Sequence, residues 1–141
     1  MRFPQIVVFE TGGATARSLD SLVVRRSRWL LRESHQAPAC LDLIRSGGPS
    51  VLVLKLGRNV VRELGFLDEA HAAVPDAPIV VVADSDDSAL MSLALELGAS
   101  YVVQPPEPRD ALSAVVESLM AAAIQRLGGD SAAASTEGPA A

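Results

Sequence analysis

Five short apolar runs rich in β-branched residues recur along this chain, and each is followed by a stretch whose apolar residues keep helical spacing. The runs are Gln5–Glu10, Arg28–Glu33, Ser50–Leu56, Pro78–Asp84 and Tyr101–Gln104, and their length and composition predict strands. The stretches between and after them place five groups on single helical faces: Leu19, Leu22 and Val23; Cys40, Leu43 and Ile44; Val60, Leu64 and Leu67; Leu90, Leu93, Ala94 and Leu97; and Leu112, Val115, Val116 and Leu119. Because the strand runs are continuous rather than alternating, both faces of each strand must be covered. A parallel sheet with helices on either side provides that cover. The predicted fold class is α/β, a doubly wound three-layer sandwich around one five-stranded parallel sheet.

Local punctuation falls between these elements. Gly47-Gly48-Pro49 stops the second helix, Gly98 stops the fourth, and Pro108 sits where a first helical turn tolerates it. After Arg126 the sequence is small and polar, with nothing to bury, so residues 1–128 are expected to form the domain and 129–141 a disordered tail. The 141 residues suit one domain, which excludes a second catalytic unit. No apolar stretch approaches the roughly 20 residues of a bilayer span, and Ile6–Phe9 is too short for a secretory signal. A soluble cytoplasmic chain without a membrane partner is the expectation. Cys40 is the single cysteine, which rules out an internal disulfide framework, and its place on a core stripe predicts burial. A net charge of −5 argues against nucleic acid as the main ligand.

The stretch GASYVVQPPEPRDAL, residues 98–112, is similar to the Gly-Ala, aromatic, two apolar residues, Lys-Pro and final helix of the receiver (response-regulator) domain family. SVLVLKLG stands where that family has its phosphoacceptor strand, and PIVVVAD where it has the strand carrying a hydroxyl residue. Glu10 and Lys55 are 45 positions apart, close to the family's usual separation. The resemblance runs from Gln5 to Arg126. It implies a flavodoxin-like sheet of order 2-1-3-4-5, with any site at the carboxyl ends of strands 1, 3 and 4. The family carries an acidic pair after strand 1, an Asp ending strand 3, a Thr or Ser ending strand 4 and a Lys before the proline after strand 5. Here those positions hold Glu10 and Thr11, Lys55, Ala83 followed by Asp84, and Gln104 before Pro105. The resemblance is therefore to a degenerate member without the phosphoacceptor, a pseudo-receiver that is not an enzyme and holds no cofactor or metal.

Elementary chemistry leads to the same expectation for Lys55. Aspartyl phosphorylation needs a carboxylate nucleophile and a divalent cation held by oxygens. An ammonium supplies neither, and two unit charges about 4 Å apart repel by about 4 kcal/mol at an effective dielectric near 20, twice that for a divalent ion. Lys55 is the only lysine among twelve basic residues and interrupts an apolar strand. Two readings stand: an internal cation paired with Glu10 and Asp84, or a strand-end side chain with its head in water.

Thr11, Gly12, Gly13 and Thr15 follow the first strand and open a helix, where a flavodoxin-like protein would bind a flavin or nucleotide phosphate. The competing reading is a turn with Thr15 or Ser18 as helix cap, and the few aromatics disfavour a flavin. Asp84, Asp86 and Asp87 precede the fourth helix and are expected to cap it rather than bind metal. Arg25, Arg26, Arg28 and Arg32 read as a solvated basic face, and His35 and His71 have no catalytic spacing. Met91 and Leu95 form a second apolar pair on the fourth helix. With Tyr101, Arg109 and Ala114 they mark an expected interaction surface on helix 4, strand 5 and helix 5, for a protein partner or a homodimer. With no output domain in the sequence, the expected function is a protein-interaction module in bacterial-type signalling.

Overall fold

A computed structural model of the chain describes residues 3–10, 13–26, 28–57, 59–105, 107 and 110–140, the last fourteen as backbone alone. Strands and helices alternate as β1 (Gln5–Phe9), α1 (Ala14–Arg25), β2 (Leu30–Ser34), α2 (Ala37–Ser46), β3 (Ser50–Lys55), α3 (Val60–Ala73), β4 (Ile79–Val82), α4 (Ser88–Glu96), β5 (Tyr101–Val103) and α5 (Ala111–Ala140). All five strands are parallel in the order β2-β1-β3-β4-β5. This is the flavodoxin-like, receiver-type topology expected. The expected tail falls where side chains are not described, and Pro108 and Arg109 lie outside the described residues.

The central strands are apolar on both faces because two cores meet them. Val7, Phe9, Leu52, Leu54, Ile79 and Val81 pack toward α2, α3 and α4, while Ile6, Val8, Val51, Val53 and Val80 pack toward α1 and α5. Each such side chain removed from water contributes about 1.5–3 kcal/mol before entropy is counted. The α5 stripe is Leu112, Val116, Met120 and Ala123. Phe9 and Phe66 stack at 4.4 Å between centroids, which fixes the carboxyl end of β1 against α3.

Several expected boundaries move inward by one or two residues. Glu10, Leu56 and Ala83 still donate backbone N–H groups to Ser34, Val82 and Val103, but their chains are already turning toward the next helix. The second strand begins at Leu30 rather than Arg28, because Trp29 N–H closes a turn onto the Arg26 carbonyl and the Arg26 guanidinium lies over the Trp29 ring. On α4, Leu93 points to solvent at 42% exposure instead of into the core, and Met91 is half-buried against it. Leu90 and Leu97 are partly buried against the core as expected, and Ala94 is the one fully buried residue of the helix.

Candidate functional site

The carboxyl ends of β1, β3, β4 and β5 bring together most of the residues singled out in the sequence. Glu10 leaves β1 with its side chain almost fully buried, at 7% exposure. Its two carboxylate oxygens accept the N–H groups of Thr15 and Ala16, each at 3.0 Å. Those are first-turn donors of α1, which have no partner within the helix. The expected cap from Thr15 or Ser18 is thus replaced by Glu10, while Gly13 at φ 77 makes the left-handed turn that brings the chain round. Thr11 and Gly12 lie outside the described residues.

Glu33, next to Glu10 on the edge strand, joins it through a carboxyl-to-carboxyl hydrogen bond. Burial raises the Glu10 carboxyl, but the Ala16 and Thr15 N–H groups, the Thr15 hydroxyl and Glu33 together hold it below its ordinary value. Glu33 moves the other way. Partial burial, the hydrogen bond and the charge of Glu10 raise it, against a smaller pull from Arg17 and His35.

Lys55 ends β3, and its Nζ donates to Oδ1 of Asp84 in the β4–α4 loop. The lysine side chain is 23% exposed and the aspartate 80%. Of the two expected partners of Lys55, only Asp84 is in contact, since Glu10 is already held by the nearer N–H groups of α1. Asp87 caps α4, its Oδ1 accepting from Ala89 N at 3.0 Å and Leu90 N at 3.2 Å. The acidic loop thus divides its work: Asp84 pairs with the lysine and Asp87 holds the helix start.

Ala83 closes β4 with a buried methyl group, so no hydroxyl stands there. At the end of β5, Gln104 donates from Nε2 to the Met91 sulfur at 3.2 Å, and its backbone N–H reaches Glu107 at 3.5 Å. Tyr101 opens β5 at 40% exposure and donates its hydroxyl to Glu107 Oε2 at 3.1 Å. The hydrogen bond and charge of Glu107 raise the phenol above its ordinary value. Pro105 follows in the turn, and Ala114 is exposed on α5. Glu33 and Glu107 were not singled out in the sequence. Only the sheet register and the β5–α5 turn bring them to the site.

The remaining candidates lie apart. Arg25 and Arg26 reach Glu117 on α5, at 4.0 and 3.2 Å. Cys40 is buried, and burial pushes its thiol up to about 11. Among the described residues, no three His, Cys, Asp or Glu side chains gather at one point, and no helix is long and apolar enough to cross a membrane.

No protein-family model matches the chain, and no curated protein matches it in sequence. Solved structures share its fold. A response regulator receiver domain protein (CheY-like) from Methanospirillum hungatei JF-1 superposes with a TM-score of 0.67 at 11% identity, over 89% of this chain and 99% of that one. A response regulator from Thermotoga maritima gives 0.70 at 13% identity, over 84% and 98%. NtrX from Brucella abortus, in complex with ATP, gives 0.65 at 20% identity, over 92% of this chain but 29% of its own length. At these identities the likeness establishes the receiver fold.

Proposed function

We propose that this chain is a degenerate receiver domain that is not switched by aspartyl phosphorylation and serves bacterial-type signal transduction in the cytoplasm as a non-catalytic module bound to a partner protein. The observation that carries this reading is the Lys55–Asp84 ion pair at the carboxyl ends of β3 and β4. Where receivers place a phosphoacceptor, this chain places an ammonium already neutralised by a carboxylate. Mg²⁺ does not suit the donor set: Glu10 gives both oxygens to α1, Asp84 is engaged by a cation, and that cation repels another. A receiver also needs a hydroxyl and a lysine beside the phosphoryl group, and Ala83 and Gln104 supply neither.

A flavin or nucleotide phosphate at the start of α1 is disfavoured by the same geometry. The N–H groups of Thr15 and Ala16 that would receive the anion are taken by Glu10, whose charge opposes a second anion.

The partner surface in this reading is α4, β5 and α5. Leu93 and Leu95 on α4 are 42% and 45% exposed, Tyr101 on β5 is 40% exposed, and Ala114 is exposed on α5. Apolar side chains exposed together at one edge suit a protein contact. The test of the main claim is incubation with phosphoramidate and Mg²⁺ followed by intact mass measurement. The expected spectrum has no added phosphoryl group; a stoichiometric phosphoryl adduct on Glu10 or Asp84 would overturn the reading.

A further inference from the structure

We propose that the open edge of β2 is a docking site for an extended, acidic segment of another protein, which adds to the sheet as a further strand. The contact lies at the edge opposite β5. It goes beyond the reading above and does not depend on the α4 surface.

Backbone geometry supplies the first observation. β2 ends the sheet. Leu30 N–H donates to the Pro4 carbonyl at 2.9 Å and the Ser34 carbonyl accepts from Glu10 N–H at 3.2 Å, so Leu30 and Ser34 face β1. Alternation along the strand then turns the N–H and C=O groups of Leu31 and Glu33 to the open side. Among the described residues no acceptor meets either N–H. Such a row of donors and acceptors is the main-chain half of a strand-addition site.

The other half is a pocket for a side chain of the incoming strand. Phe3, Leu30, Arg32, Leu43 and the Gly47-Gly48 turn line a hollow of about 270 Å³ beside the amino end of β2. It has room for a leucine side chain, and exposed Arg32 stands in its wall.

Charge selects the occupant. In a chain of net charge −5, residues 21–32 hold four arginines and no acid. Glu117 meets Arg25 and Arg26, while among the described residues no carboxylate lies within 4.0 Å of Arg28 or Arg32, both exposed. The basic face therefore borders an unpaired backbone edge and a hollow, and carboxylates are the partners that guanidinium groups take in bidentate form. Glu33, the one acid of β2, is hydrogen-bonded to Glu10. A second copy of this chain fits less well. Antiparallel pairing of all five β2 residues centres on Arg32 and sets two Arg32 side chains directly opposite, where like charges repel.

The probe is a fluorescein-labelled peptide of alternating leucine and glutamate, long enough to span β2. Its anisotropy is expected to rise on titration with the full chain. The amides of Leu31 and Glu33 are expected to exchange severalfold more slowly in the complex, as read by NMR. The same peptide methylated at every amide nitrogen keeps its charges and is expected not to bind. Replacing Arg28 and Arg32 together with serine should weaken binding about tenfold, with an unchanged melt because both side chains are exposed. No binding of the peptide, equal binding of its methylated form, unchanged exchange at Leu31 and Glu33, or full affinity in the double variant would each overturn the inference. A DNA duplex or phosphatidylglycerol vesicles held by the same arginines as tightly as the peptide would overturn it in favour of those partners. Slowed exchange at Leu31 and Glu33 on concentrating the chain alone would assign the edge to a second copy and overturn it likewise. All of these outcomes leave the absence of phosphoryl transfer in the proposed function standing.

Discussion

Lys55 and Asp84 join two strand ends that the sheet places side by side: Lys55 is in register with Val82, and the pair spans from there to the loop two residues on. Because Asp84 is 80% exposed, water screens the attraction and the pair resembles a surface ion pair more than a buried one. Lys55→Met is therefore expected to cost only about 0.5 kcal/mol, well short of the several kcal/mol of a buried pair. Urea denaturation at low and high salt reads this directly. The difference should shrink as salt is added, and a salt-independent loss of several kcal/mol would mean that the ammonium is buried in a way the geometry does not show.

Glu10 holds a more protected position, and its removal should matter more. Glu10→Ala leaves the Thr15 and Ala16 N–H groups without acceptors next to a buried wall, at an expected cost of about 1–2 kcal/mol. Glu10→Gln keeps one acceptor oxygen and should recover part of the loss. Chemical denaturation of both variants at neutral pH tests the ranking; equal stability of Glu10→Ala and wild type would remove the capping role.

Glu33 gives the fold a pH dependence whose sign follows from its raised carboxyl. A group titrating above its ordinary 4.5 in the folded chain contributes stability below that value and loses it as pH rises through the folded value. Glu10, held below 4.5, acts oppositely, its contribution fading as pH falls through its own folded value. Glu33→Gln donates an amide N–H to Glu10 at every pH. It should therefore be more stable than wild type at pH 7, by about 0.5 kcal/mol for so exposed a group. The gain should vanish near pH 4, where Glu33 has its proton. Thermal melts of the two proteins across that range check the crossover.

Strand existence was legible because both-face burial of β1, β3 and β4 imposes continuous apolar runs, a signal carried by each segment alone. The positions of Lys55, Ala83 and Gln104 followed from the same runs, since each stands at or beside a strand end. Partnerships were not legible. Glu10 caps a helix that begins four residues later, beyond a turn, whereas cap patterns look to the residue next to the helix. Glu33 meets Glu10 only through the β1–β2 register, and the one trace in sequence was the charged Arg32-Glu33 pair breaking the second apolar run. Of the α4 stripe, Leu90, Ala94 and Leu97 pack against the core as the spacing predicts, and only Leu93, at 42% exposure, departs from it.

Gly98 marks a backbone requirement that reaches across the fold. Its φ of 124° is a conformation few other residues adopt, and a Cβ there would lie 2.4 Å from the His71 ring on α3. Gly98→Ala should destabilise by about 2 kcal/mol or more, from backbone strain and from the clash together. Adding His71→Ala removes the ring contacts but leaves the residue-71 Cβ, 2.5 Å away, and the strain in place, so the double variant should recover only part of the loss. Full recovery would assign the whole cost to the histidine.

The α4 face separates stability from association. Leu93 and Leu95 are exposed in the isolated chain, so replacing both with glutamate removes little buried area and should leave stability within about 0.5 kcal/mol. The same change puts two carboxylates at the centre of the proposed contact, where an unpaired charge cannot be desolvated cheaply. Complex formation should therefore be lost while the melt is unchanged, whether the complex is two copies of this chain in sedimentation velocity or a protein captured from the native host. Leu119, half-buried against the other core, supplies the control: Leu119→Ala should lower stability and leave association intact. If the double glutamate variant binds as wild type does, the contact lies on another face, and the exposure of Leu93 and Leu95 has no part in it.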